Sequence, residues 1–159
     1  MGRELARLQS PPSTRQFCFA VLADNKTGGC CREDVFVECL RRIQSDPEIA
    51  FVVHIGDAVC AVNPQLYNRF YNIVKTHLKK PFLVAPGNHD VGFFTVDLYE
   101  RFFGMRYCAF KYGDAGFVLT DGSYPWAFDA QQLKWLEETL KRFSGQRFVF
   151  VFQHQPLID

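Results

Sequence analysis

Apolar and polar positions alternate along this chain in blocks of two kinds. Short apolar runs at residues 17–23, 50–55, 82–85 and 147–152 end in glycine, proline, asparagine, aspartate or glutamine, as buried strands do. Between them, apolar residues recur with helical spacing. Phe36, Cys39, Leu40 and Ile43 predict a helix with Glu33 and Asp34 in its first turn and Ser45-Asp46-Pro47 as its stop. Leu66, Phe70, Ile73 and Val74 predict a second, with Asn63 as N-cap and Pro64 as first helical residue. A short third helix is expected from Thr95 to near Gly104. Residues 107–112 and 117–120, separated by Gly113-Asp114-Ala115-Gly116, read as a hairpin. In the last helix Asp129 and Gln132 have the spacing of a capping box, with Leu133, Leu136, Leu140 and Phe143 as the expected buried face.

Strands alternating with helices predict an α/β protein whose parallel strands are buried on both faces; the hairpin makes the arrangement mixed. The 159 residues suffice for one domain with a sizeable core. Residues 1–16 are polar, contain Pro11-Pro12-Ser13 and lack the apolar stretch of a signal peptide, so they read as a flexible leader before a single domain at 17–159.

Charge narrows the function classes. The net charge is +1 with no long basic run, which argues against a nucleic-acid groove or a membrane-surface patch. No apolar run is long enough to span a bilayer. The six cysteines form no CxxC pair, so neither a zinc knuckle nor a thioredoxin-like site is expected. They read as reduced thiols in a cytoplasmic protein, with vicinal Cys30-Cys31 in a loop.

The candidate chemistry lies where the apolar runs stop. Asp24, Asp57, Asn88-His89-Asp90 and His154 each follow a predicted strand. In a parallel sheet those ends share one edge and face one crevice. Singly, each residue has an ordinary reading: a cap for Asp24, a turn for Asp57, a core position for His154. Together they offer the carboxylate, amide-oxygen and imidazole donors that a divalent cation takes. His54 lies inside a strand and reads as a core residue. Gly28-Gly29 does not make a nucleotide cradle, because GxGxxG and Walker A are both absent.

The order Asp24, Gly56-Asp57, Gly87-Asn88-His89-Asp90, then His154 resembles the calcineurin-like metallophosphoesterase superfamily. Tyr99 through Phe103-Gly104 and Gln132-Leu133-Lys134-Trp135-Leu136 resemble its connecting segment, so the likeness covers roughly residues 17 to 159. It implies a sandwich of two mixed β-sheets flanked by helices around a two-metal centre, with Mn, Fe, Zn or Mg as ions. By that likeness Asp57 bridges both ions, Asp24 belongs to the first, and Asn88 and His154 belong to the second. A metal-bound hydroxide would cleave a phosphate ester. His89 would assist the leaving group, with Asp90 orienting it and favouring its protonated form.

Two positions depart from the family pattern. Lys26 stands where a His is usual, and an ammonium has no lone pair for metal. Lys26 is expected either as a loop lysine or as a point charge that holds substrate phosphate, beside Asn88, and takes over part of the first cation's role. The family's Gly-His-x-His segment is absent, and the chain stops five residues after His154. A C-terminally truncated domain with one or two ions is therefore expected, with self-association through an exposed sheet edge as a further expectation. Tyr124 and Trp126 are candidates to line a substrate pocket. The alternative to an enzyme is a non-catalytic binding module on the same fold.

Overall fold

The computed structural model describes residues 2–8, 16–29, 32–92, 94–124 and 128–156. Cys30-Cys31, Trp126 and Pro11-Pro12-Ser13 lie outside the described residues. Two three-stranded sheets face each other. The first contains β1 (Cys18–Leu22), β2 (Ile49–His54) and β3 (Phe82–Val84), in that order. All its strands are parallel, because helices α2 (Glu33–Ser45) and α3 (Pro64–His77) carry the chain back between them. The second contains β4 (Cys108–Tyr112), β5 (Ala115–Leu119) and β6 (Phe148–Phe152). There β4 and β5 form the antiparallel hairpin, and β6 lies parallel to β5. So one sheet is mixed and the other is not, where the likeness implied two mixed sheets. The hairpin loop is only Gly113-Asp114, shorter than expected, because Gly113 takes a positive φ (58°) at its first position.

Strand alternation sorts the side chains into two cores. Val52, His54, Phe82 and Val84 point outward under α2, α3 and α4 (Val96–Phe103). They meet Phe36 and Leu40 of α2, Tyr67 and Phe70 of α3, and Tyr99 and Phe103 of α4. Phe51, Val53 and Leu83 point the other way, into the space between the sheets. There Phe117 of β5 packs its ring against those of Phe19, Phe51, Phe110 and Phe150, with centroids 5.0–5.2 Å apart. Phenylalanine from both sheets thus welds the sandwich, each close ring pair adding about 0.5–1.5 kcal/mol beyond area burial.

Two expectations fail for physical reasons. Gly2–Leu8, within the expected flexible leader, forms helix α1. Leu5 and Leu8 lie three apart on one face and join the inter-sheet core, and Glu4 accepts the Phe82 N–H at 3.1 Å. In α5 (Ala130–Arg142), Asp129 does cap, accepting the Gln132 N–H at 2.8 Å. The leucine face is not the buried one, however: Leu133 is 51% and Leu140 40% exposed. The helix packs instead through Gln132 and Thr139, and Phe143, buried as expected, follows with its ring against Gly116 of β5. Gln132 is fixed there by bonds to the Asp121 backbone at 2.7 and 3.0 Å. Among the described residues no helix is long and apolar enough to cross a membrane.

Candidate metal centre

Four loops meet at the C-terminal ends of the strands. The loops after β1 and β2 run side by side, tied by Asp24 N–H to Gly56 O (3.0 Å), Lys26 N–H to Asp57 O (2.9 Å) and Thr27 N–H to Ala58 O (2.9 Å). The loop after β3 closes on them through a glycine contact. A Cβ at Gly87 would lie 2.3 Å from Asp57 N and 2.4 Å from Asp57 Oδ1, and one on Gly56 would lie 2.7 Å from the Gly87 backbone. Only two facing glycines allow that approach. The non-glycine residues with positive φ among the described residues are Asp24 (57°), Lys26 (42°) and Asp57 (56°). All three are in these loops. Such backbone costs of order 1–3 kcal/mol at each position and persists where surrounding structure enforces it.

The side chains converge on Asp57, whose carboxylate is 2% exposed. Its Oδ1 accepts the His89 backbone N–H at 3.0 Å and lies 3.3 Å from His154 Nε2. Its Oδ2 lies 3.1 Å from Lys26 Nζ and 3.9 Å from His89 Nε2. Asn88 Oδ1 is 3.2 Å from His154 Nε2. Asp24, Asp57 and His154 offer ligand atoms that all lie within 4.8 Å of one another. His154 follows β6, so the crevice bridges both sheets instead of lying along one sheet edge.

The tautomers follow from the hydrogen bonds. His154 Nδ1 sits 2.9 Å from the Ile55 carbonyl, which can only accept, so Nδ1 carries the proton. His154 Nε2 then faces two oxygen acceptors, Asp57 Oδ1 and Asn88 Oδ1, which in the neutral ring it meets with a lone pair. Such an arrangement needs positive charge at its centre, either a proton on Nε2 or a bound cation. A carboxylate, an amide oxygen and an imidazole, with the Asp24 carboxylate nearby, make a donor set that suits a divalent cation. These residues therefore fit the ion that the family likeness implies.

His89 and Asp90 divide differently from expectation. His89 Nδ1 donates to the Cys60 carbonyl at 2.8 Å, which turns Nε2 toward the crevice. The Asp90 carboxylate is fully buried and accepts the N–H groups of Val59 (3.1 Å) and Gly87 (2.9 Å). Asp90 thus braces the loops after β2 and β3; the Cys60 carbonyl, in place of Asp90, orients His89. Burial pushes the Asp90 carboxyl up to about 7, against the opposing pull of those two N–H bonds.

Two positioning groups lie outside the sequence motifs. Buried His54 donates from Nε2 to Asn25 Oδ1 at 2.7 Å, and Asn25 Nδ2 donates to Thr27 Oγ1 (2.8 Å) and Ala58 O (3.0 Å). His54 is a core residue as expected, and it also pins the loop that carries Asp24 and Lys26. Burial drives its pKa down to about 3. Tyr124 Oη donates to the Asn88 carbonyl at 2.9 Å, which fixes the backbone of that loop. The placement of Asn25 between Asp24 and Lys26 was its only signal in the sequence. A cavity of about 310 Å³ lined by Phe70, Val74, Phe82 and Phe103 lies near the start of β3, and none of the site residues line it.

The sequence pattern of the calcineurin-like phosphoesterases matches residues 19–159. The chain belongs to that family. Among solved structures, a purple acid phosphatase from yellow lupin (Lupinus luteus) seeds is similar in fold, with a TM-score of 0.65 and 15% identity over 88% of this chain. This chain covers 30% of the lupin chain. No curated protein matches the sequence.

Proposed function

We propose that the crevice binds a divalent cation through Asp24, Asp57, Asn88 and His154 and hydrolyses a phosphate ester. The convergence of His154 Nε2 with Asp57 Oδ1 and Asn88 Oδ1, at 3.2–3.3 Å, carries this reading. A cation bound there would supply Lewis acidity at the phosphoryl oxygens and an acidified water. The chain's own residues do the rest. Asn88 and Lys26 meet the substrate phosphate, the first as an amide and the second as fixed positive charge. His89, held at Nδ1 by the Cys60 carbonyl, presents Nε2 to the crevice and, when protonated, gives its proton to the departing oxygen. Tyr124 holds the Asn88 backbone, and the Asp90 brace keeps the two loops in register.

The free thiols of Cys18, Cys39, Cys60 and Cys108 support a reducing, cytoplasmic setting. Phe148, Val149 and Val151 of β6 are 38–50% exposed, and β6 is an outer strand of its sheet among the described residues, which supports self-association along that edge.

The test is turnover of an aryl phosphate ester by the purified chain with Mn²⁺. Activity should vanish on chelation and return with added ion. Asp57→Asn should abolish both ion binding and turnover, and Asn suits the positive φ at that position. His89→Ala should lower turnover by about 10²–10⁴-fold while ion affinity stays within about twofold. A folded chain that binds Mn²⁺ but hydrolyses neither mono- nor diesters would mark it instead as a binding module.

A further inference from the structure

We infer that Lys26 fills the seat of a second cation, so that this centre holds one divalent ion where its family likeness implies two. The inference rests on the phosphoesterase reading above and refines its metal content. The two oxygens of Asp57 are divided between two kinds of positive charge. Oδ1 faces His154 Nε2 at 3.3 Å, on the side where lone pairs converge. Oδ2 faces Lys26 Nζ at 3.1 Å. The Lys26 side chain is 31% exposed and the carboxylate it meets is 2% exposed, so the ammonium reaches from the rim of the crevice to a buried partner.

The backbone aims Lys26 there. It is held at φ 42° by its N–H bond to Asp57 O, and that loop is pinned in turn by Asn25 and His54. An ammonium has three donors and no lone pair, so it substitutes for an ion and not for a ligand. The ligand count agrees. Asp24, Asp57 and His154 fall within 4.8 Å of one another, and Asn88 Oδ1 joins them beside His154. Those donors suffice for one ion, and no other such group occurs among the described residues. The division of Asp24 to a first ion and His154 to a second, implied by the family likeness, gives way to one shared set.

Counting ions tests this without reference to turnover. The folded chain is titrated with Mn²⁺ and measured by native mass spectrometry and by electron paramagnetic resonance. The expected result is one ion per chain with an uncoupled Mn²⁺ spectrum. Lys26→His exchanges the ammonium for a lone pair and should admit a second ion, with spin coupling between the two. Lys26→Met removes the charge without adding a ligand; it should keep one ion, bound about tenfold more tightly for loss of a nearby like charge. Two ions in the unaltered chain would overturn the inference, as would a single ion in Lys26→His or unimproved affinity in Lys26→Met. No ion at all in a chain folded by circular dichroism would instead overturn the metal-centre reading beneath it.

Discussion

The inter-sheet core and the crevice above it are built on opposite terms. The core around Phe117 is made of side chains whose backbone follows ordinary strand geometry, with rings in contact and no polar demand left open. The crevice is made of backbone held at positive φ, glycines packed against glycines, and like lone pairs turned toward one another. One region stores stability and the other spends it. A binding site needs that second state, because groups satisfied within the protein have nothing left for a ligand. His54 belongs to both: its ring packs among Phe36, Phe70 and Phe82, and its Nε2–H holds the loop of the crevice.

That contrast can be broken first at the core. Phe117→Ala should cost about 3–5 kcal/mol in urea unfolding, while the molecules that remain folded keep their Mn²⁺ affinity. A loss under about 1 kcal/mol would mean the ring cluster does not hold the sheets together. Gly87→Ala strikes the seam between the regions. The added carbon must displace Asp57, so the expected cost is about 1–3 kcal/mol together with a fall in Mn²⁺ affinity of about tenfold or more. Loss of stability with unchanged affinity would show that the glycine contact does not shape the site.

Acid separates the regions through His54. Its folded pKa, about 3, lies below the ordinary 6.5 because burial disfavours the imidazolium. Between those values the unfolded chain binds the proton and the folded chain does not. Stability is therefore intact above pH 6.5 and falls as the pH drops toward 3, at a slope approaching about 1.4 kcal/mol per pH unit. Unfolding curves of His54→Gln should lack that part of the slope; an identical acid profile would contradict the assignment. The smallest effect belongs to α5. Leu133→Ser should change stability by no more than about 0.5 kcal/mol, because the leucine is exposed, and a core-sized loss would restore the leucine face as the buried one.

Periodicity made most of this fold legible. The α2 stripe of Phe36, Leu40 and Ile43 is buried as spaced, and Asn63 caps α3 by accepting the Gln65 N–H at 2.8 Å. Strand ends rich in Asp, Asn and His likewise pointed to one crevice, and Asp57, Asn88 and His154 do meet there. Periodicity was silent where a competing contact decides. Helix α5 carries two adjacent stripes, and hydrophobicity favours the leucines, but Gln132 wins through bonds to a backbone 11 residues away. Helix α1 has two leucines in seven residues, too few to stand out. Asp90 follows His89 directly, yet neighbours in a turn point apart, and its carboxylate goes to Val59 and Gly87. Positive φ at Lys26 leaves no mark in residue type, whereas aspartate at 24 and 57 is among the residues that tolerate it.

Diffraction from crystals grown with Mn²⁺, collected at a wavelength where manganese scatters anomalously, tests the site most directly. The arrangement predicts one anomalous peak within coordination reach of Asp57, Asn88 and His154, with Asp24 on its flank and the Lys26 ammonium across the Asp57 carboxylate. A peak elsewhere, or none at that position with the ion in excess, would contradict it.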